Sequence, residues 1–359
     1  MANRYRLIDT TLREGEQTPG VKFSLDEKKH IIDGLAAAGI AEIEIGLATV
    51  LAECSRELAR YCREYYPRLQ ISVWSRCRPE DIDHAALIRP DIVSLSIPVS
   101  DLHLITKLGK NRAWARRTLT ESVERAHERG LAVSVGFEDA TRADTGFLIE
   151  MAERAEQAGA VRVRLADTVG IYSPIQTGEL TRLVSGALAE TEVGIHTHND
   201  FGMASANAIT ALESGATWAD GTVLGLGERT GCARLEEMAG FLQLRCGCPH
   251  LDISALTRLA GDIASFTHRE IPRNQPLTGA DIFSCETGLH LQGLIADPRT
   301  YEPFSPETVG ARRTLIFGAK VGRRALHYWL RESGQGEPVP EEISADQLRH
   351  FRHHLENRV

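Results

Sequence analysis

Cysteines are few and scattered, seven in 359 residues, and only Cys246 and Cys248 stand close together. An odd, dispersed set supports neither a disulfide framework nor a zinc ribbon, so reduced thiols are expected. No apolar run approaches the roughly 18 residues needed to cross a bilayer. The opening Met1-Ala2-Asn3-Arg4-Tyr5-Arg6 also lacks the apolar core of a signal peptide. These absences argue against a membrane role and lead to the expectation of a soluble, cytoplasmic protein. Dense basic tracts are missing too. The formal net charge is −8, and apart from short arginine pairs the cations are dispersed. Nothing here attracts a phosphate backbone in general, so nucleic acid is not an expected partner. There is no low-complexity segment and no repeat beyond an alternation of strand-like and helix-like stretches. What remains is 42% hydrophobic and 25% charged, enough to bury a barrel-sized core and carry an appendage.

Short β-type runs recur eight times: Tyr5 to Asp9, Ala41 to Gly46, Leu69 to Ser75, Asp91 to Ile97, Leu131 to Phe137, Ala160 to Ala166, Glu192 to Thr197 and Thr217 to Val223. Amphipathic helical stretches lie between them, such as Leu25 to Ala38, Ala113 to Arg129, Thr145 to Ala158 and Pro174 to Ala189. Several end in a glycine turn, as at Ala38-Gly39 and Ala158-Gly159. Eight βα units in about 245 residues is the count of a closed parallel barrel, whereas a doubly wound sheet usually has fewer strands. The expected fold is an α/β TIM barrel, (β/α)8, over residues 1–248. Residues 249–359 read as an α-rich C-terminal appendage, with helices over Ser254 to Ser265, Ala319 to Arg331 and Ala345 to Asn357. An exposed linker is expected at Gly334 to Pro340.

The polar residues gather at strand ends. Asp9, Arg13, Glu14 and Gln17 follow the first strand, Glu44, a candidate substrate-binding group, closes the second, Arg76 the third and Glu138-Asp139 the fifth. Asp167-Thr168 closes the sixth, His196 and His198 the seventh, and Glu228-Arg229 follows the eighth. Barrel enzymes build their sites from such C-terminal ends. A single carboxylate or arginine after a strand is more often a cap or a surface ion pair, and a bare His-x-His is more often a satisfied strand end. Convergence from at least six strands favours a site. Histidines at i and i+2 on a strand share a face and can aim two imidazoles at one point, with Asn199 and Asp200 placed to orient them. With Glu14 as a third ligand, a divalent metal would keep positions open for a substrate with two adjacent oxygens, such as a 2-oxo acid. Arg13 would take the carboxylate of that acid, because its fork matches one in a way lysine does not. Arg76, at the end of its strand, is the candidate partner for a more distal carboxylate.

Three motifs together resemble the DRE-TIM metallolyases: Asp9-Thr10-Thr11-Leu12-Arg13-Glu14-Gly15-Glu16-Gln17, His196-Thr197-His198-Asn199-Asp200-Phe201-Gly202, and Gly225-Leu226-Gly227-Glu228-Arg229-Thr230-Gly231. Within that superfamily the chain is most similar to homocitrate synthases, the nitrogen-fixation type in particular. Val99-Ser100-Asp101-Leu102-His103, Glu138-Asp139-Ala140-Thr141-Arg142-Ala143-Asp144, Thr287-Gly288-Leu289-His290 and Tyr301-Glu302-Pro303-Phe304 carry that finer likeness. The resemblance implies an acyltransferase that condenses acetyl-CoA, its co-substrate, with a 2-oxo acid, 2-oxoglutarate being the foremost choice. It implies a divalent metal (magnesium, manganese or zinc) on Glu14, His196 and His198. It assigns Arg13 and Gln17 to the oxo-acid end, Thr168 to a substrate carboxylate, and Glu138, His290 and Tyr301 to proton transfer. It also implies a homodimer, with His290 and Tyr301 reaching the neighbouring subunit's barrel.

Where the family usually has asparagine after Arg-Thr-Gly this chain has Cys232, and where it usually has histidine before Glu-Ser-Gly it has Cys285. Gly318-Ala319-Lys320-Val321-Gly322 lacks the histidine usual in that stretch. These departures bear on which oxo acid fits more than on the reaction. The related alternatives are isopropylmalate, citramalate and phosphonomethylmalate synthases. Isopropylmalate synthases commonly carry a further regulatory domain of over a hundred residues, which a sequence ending at Val359 is not expected to hold. A retro-aldol acyl-CoA lyase is the alternative of a different class, but its Gly-Gly-Cys-Pro loop is replaced here by Gly227-Glu228-Arg229-Thr230-Gly231.

Overall fold

The computed structural model describes residues 4–49, 53–286, 288–317, 321–332 and 342–356. Eight parallel strands close into a barrel: β1 (Arg6–Asp9), β2 (Glu42–Leu47), β3 (Gln70–Arg76), β4 (Ile92–Pro98), β5 (Ala132–Glu138), β6 (Arg162–Asp167), β7 (Glu192–Thr197) and β8 (Trp218–Gly221). β1 seals it, pairing Ile8 with Glu42 on one side and Arg6 with Trp218 on the other. The expected TIM barrel is therefore the fold.

Helices α1 (Leu25–Ala37), α2 (Glu53–Tyr65), α3 (Pro79–Ile88), α4 (Arg112–Glu128), α5 (Thr145–Gln157), α6 (Pro174–Ala187), α7 (Ala204–Glu213) and α8 (Leu235–Cys246) follow the strands in turn. Their starts are encoded locally. Ser24 and Glu27 form a reciprocal capping box on α1, Ser173 and Gln176 form another on α6, and the Asn111 and Asp144 side chains accept from the first turns of α4 and α5. Outward residues such as Ile43, Ile45, Val163 and Leu165 join one continuous apolar core with the helices. Their alternates on the same strands, Glu42, Glu44, Arg162 and Arg164, are buried and charged and point into the barrel. The barrel thus has an apolar outer core and an ionic interior.

By packing, the chain forms two compact units, Met1–Glu270 and Ile271–Val359. The helix expected at Ser254 to Ser265, here α9 (Ile253–Phe266), belongs to the first unit, beyond the boundary expected at 248/249. It packs on α1 at Gly34, where a Cβ would lie 2.8 Å from Leu259 Cδ1. The second unit holds α10 (Gly288–Ala296), α11 (Arg323–Glu332) and α12 (Ala345–Glu356), and a two-residue parallel ladder between β9 (Ser284–Cys285) and β10 (Thr314–Leu315). Leu291, Val321, Leu326 and Ile343 form its own small core. The linker expected at Gly334 to Pro340 lies outside the described residues. Among those described, no helix is long and apolar enough to cross a membrane.

Candidate active site

At the C-terminal end of β7, His196 and His198 turn their rings into one buried space, centroids 4.9 Å apart and nearly perpendicular. The Nδ1 of His196 donates to Asp220 Oδ2 at 2.9 Å, and that of His198 to the Asp167 carbonyl at 3.1 Å. These acceptors fix both tautomers and leave both Nε2 lone pairs free. The two Nε2 atoms lie 3.9 and 3.7 Å from the oxygens of Glu14, which reaches in from the turn after β1. Cys232 completes the group. One donor atom from each of Glu14, His196, His198 and Cys232 lies within 4.8 Å of all the others, and all four residues are buried.

His198 Nε2 is buried without a hydrogen-bond partner. Leaving such an acceptor unpaired costs about 1–3 kcal/mol. Two imidazole lone pairs and a carboxylate facing one point repel each other unless a cation sits between them. The donor set therefore fits the divalent metal that the sequence led us to expect.

Arg13 lies beside the cluster, pairing with Glu14 and, through Nε, with Glu44, while its guanidinium stands 5.9 Å from the Trp74 ring. Burial pulls the Glu14 carboxyl up, but the Arg13 guanidinium beside it outweighs that and holds it well below the usual carboxylate range. Asp220 is likewise held low, since Arg164 and His196 overcome its burial. Burial, with Glu14 beside it, pushes the Cys232 thiol well above its ordinary value. Glu44 is fully buried and joins Arg13 to Arg164, whose guanidinium is 2.9 Å from Asp220. In this arrangement Glu44 is a scaffold for Arg13.

The other expected residues fall into separate groups. Glu138, ending β5, receives His103 Nδ1 at 2.8 Å and Lys107 Nζ at 2.5 Å, both from a π-helical turn over His103–Lys107. Thr168 Oγ1 accepts from the Asp139 amide at 2.8 Å, which leaves its own hydroxyl proton free to be donated. Gln17 is exposed and lines a cavity of about 450 Å³ with Arg13 and Leu47. Arg76 is not one of the four residues of the metal cluster. Its side chain is 46% exposed, it forks onto Asp81 of α3, and it borders a cavity of about 400 Å³ that Glu138 also lines. In the second unit, His290 and Tyr301 meet ring to ring at 4.3 Å, both exposed. Gly293 permits that contact, because a Cβ there would lie 2.5 Å from the Tyr301 ring.

One expectation is corrected. Asn199 and Asp200 do not orient the histidines: Asn199 Oδ1 accepts from the Ala204 amide at the start of α7, and Asp200 takes a two-pronged bond from Arg229. The orienting groups are Asp220 and the Asp167 carbonyl. Asp220, Arg162 and Arg164 were missed on reading the sequence. The available signal was charge placed inside short apolar strands, Glu42-Ile43-Glu44-Ile45 matched by Arg162-Val163-Arg164-Leu165.

The family model described as HMGL-like matches residues 4–263, and that described as homocitrate synthase post-HMGL domain-like matches residues 277–356. A homocitrate synthase of Frankia alni is 41% identical over 92% of this chain and 93% of its own length. The 2-isopropylmalate synthase 2 of Caldanaerobacter subterraneus subsp. tengcongensis is 38% identical over 92% of this chain and 85% of its own length. Among solved structures, the hydroxymethylglutaryl-CoA lyase of Pseudomonas aeruginosa aligns with a TM-score of 0.65 at 20% identity, over 75% of this chain and 96% of that one, a likeness of fold alone. With both family models matched in series and curated relatives aligned along nearly their whole length, the chain belongs to the HMGL-like family and is an enzyme of the homocitrate synthase type.

Proposed function

We propose that this protein condenses acetyl-CoA with 2-oxoglutarate, giving homocitrate and CoA. The observation that carries this reading is the buried Glu14-His196-His198 cluster with Arg13 against it, in a chain similar to a homocitrate synthase over nine-tenths of both lengths. Condensation of acetyl-CoA with a 2-oxo acid is the reaction class; 2-oxoglutarate is our choice within it. A divalent metal held by Glu14, His196 and His198 would polarise the ketone as a Lewis acid.

The protein's own groups do the rest. Arg13, held by Glu44, presents its guanidinium to the oxo-acid carboxylate and the developing alkoxide. The Thr168 hydroxyl donates to a substrate carboxylate, and Gln17 borders the same end. Glu138 is the acid–base group on the barrel, poised by His103 and Lys107. The acetyl methyl proton passes to a base, the carbanion attacks the ketone carbon, and water cleaves the thioester to release CoA thiol and a carboxylate. His290 and Tyr301 supply the remaining proton-transfer groups to the neighbouring subunit of a homodimer. Mixing an inactive Glu138 variant with an inactive His290 variant should restore activity through heterodimers. No recovery despite demonstrated subunit exchange would mean that each chain completes its own site.

One observation favours a second reading. Arg76, our choice for the distal carboxylate, is taken up by Asp81, and Trp74, Ile97, Leu108 and Trp114 wall the cavity beside it. Such walls suit an apolar tail, as in 2-oxoisovalerate, the isopropylmalate choice. A thiol-release assay with acetyl-CoA against a panel of oxo acids separates the two. Preference for 2-oxoglutarate, lost selectively in Arg76→Ala by roughly 30-fold, supports homocitrate. Preference for 2-oxoisovalerate overturns it.

A further inference from the structure

We infer that Cys232 Sγ is a fourth protein donor to the metal, and that it turns the centre toward borderline, thiophilic divalent ions of the zinc and cobalt class and away from magnesium. This inference rests on the metal centre proposed above.

Three observations carry it. Cys232 is 2% exposed, and its sulfur belongs to the four-atom group whose members all lie within 4.8 Å of one another. The unpartnered Nε2 of the buried His198 points into the same group.

The backbone also leaves Cys232 little freedom to turn elsewhere. It pairs antiparallel with His198, and its amide donates to the Gly225 carbonyl at 3.1 Å. The Asn199 amide donates to the Gly231 carbonyl at 2.8 Å, and the Ala233 amide to the Thr197 carbonyl at 3.2 Å. Glycines make this fold-back possible. At Gly231, φ is +86° and a Cβ would fall 1.8 Å from the Gly225 oxygen, while at Gly227 a Cβ would lie 2.9 Å from the Cys232 sulfur. The loop therefore brings a thiol against the carboxylate and imidazoles.

Ligand chemistry gives the consequence. A carboxylate alone suits magnesium or manganese, imidazole suits zinc, cobalt and iron, and thiolate sulfur selects the thiophilic ions. One carboxylate, two imidazoles and one thiolate form a borderline set. As the sulfur–metal bond forms, the thiol proton leaves to solvent.

The test is Co(II) titration of the metal-free, full-length protein under reducing conditions, followed by absorption spectroscopy, with Zn(II) and Mg(II) competition on the same samples. Wild type is expected to take up one equivalent and to show a sulfur-to-cobalt charge-transfer band in the near ultraviolet. Cys232→Ser and Cys232→Ala are expected to keep the visible ligand-field bands, lose the charge-transfer band, and bind zinc relative to magnesium roughly tenfold or more less selectively. Stoichiometric uptake by wild type without the charge-transfer band overturns the inference and leaves the Glu14-His196-His198 centre standing. An unchanged spectrum and ion preference in both variants overturns it as well. If wild type takes up no cobalt at all while His198→Ala behaves identically, the centre itself is overturned and this inference with it.

Discussion

Two layers of the barrel interior are built from the same parts and do different work. In the lower, Arg162 on β6 makes a two-pronged bond to Glu42 on β2, 2.9 Å on each arm; its Nε donates to Ser134 Oγ at 3.1 Å, and its guanidinium lies 4.4 Å from the Trp218 ring. Each nitrogen of that cation has a partner. Two residues along the same strands, Arg164 meets Glu44 only loosely, at 3.4 Å, and binds Asp220 more closely at 2.9 Å. Asp220 passes that interaction on to His196, and Glu44 passes it on to Arg13. The lower pair closes on itself and can only hold strands together. The upper one is left open toward the mouth, where Glu44 holds Arg13 and Asp220 holds His196. A buried ion pair becomes functional machinery when its geometry leaves bonding capacity unspent.

The largest effect expected from testing this contrast is at the open end. His198→Ala should lower turnover on the order of 10³-fold or more, since polarising the ketone is worth several kcal/mol. It should also abolish stoichiometric metal content, measured by plasma mass spectrometry, while the thermal midpoint changes little. Full metal occupancy with a normal rate would remove His198 from the ligand set.

At the closed end the outcome is reversed. Glu42→Ala strands a buried guanidinium and should cost about 3–5 kcal/mol of stability in urea unfolding, with metal stoichiometry retained in the folded fraction. Glu42→Leu combined with Arg162→Met should recover most of that loss. If turnover fell while stability held, the lower layer would be catalytic after all.

Asp220→Asn sits between the two. It keeps the shape but weakens the grip on His196, and should reduce metal affinity roughly 10- to 100-fold by calorimetric titration. Unchanged affinity would mean that the tautomer of His196 is set elsewhere.

The smallest effect belongs to a buried carboxyl that makes no ion pair among the described residues. Glu236 is fully buried; its Oε2 accepts from the Leu224 amide at 3.1 Å and its Oε1 has no partner among the described residues. Burial raises its pKa from 4.5 to about 7. The folded state therefore keeps a proton that the unfolded chain has lost between those values, so stability should fall as pH rises from 4.5 to about 7 and then level off. Glu236→Gln should flatten that slope by roughly 1 kcal/mol per pH unit. The buried Asp9, raised from 3.8 to about 7, adds a slope of the same sign that the variant should retain. An identical pH profile in variant and wild type would mean that Glu236 contributes nothing to the slope.

The sequence by itself determined what depends on short-range repetition. Eight apolar runs with helical stretches between them specified the barrel, because strand and helix periods are local properties. Histidines two apart on one strand had to share a face, so the paired imidazoles were legible before any fold was known. Glu14 could be added because barrel sites gather at strand ends. The tertiary structure alone decided which charges answer one another. Glu42 and Arg162 are 120 positions apart, as are Glu44 and Arg164, and no spacing along the chain reveals that β2 and β6 face each other across the barrel. The same long-range closure gave the task of orienting His196 to Asp220, 24 residues on, and not to the adjacent Asp200, which the loops after β7 and β8 turn toward Arg229. Contacts between consecutive residues on a strand follow from chain geometry, whereas contacts across a closed barrel follow from how the sheet wraps, which is a property of all eight strands together.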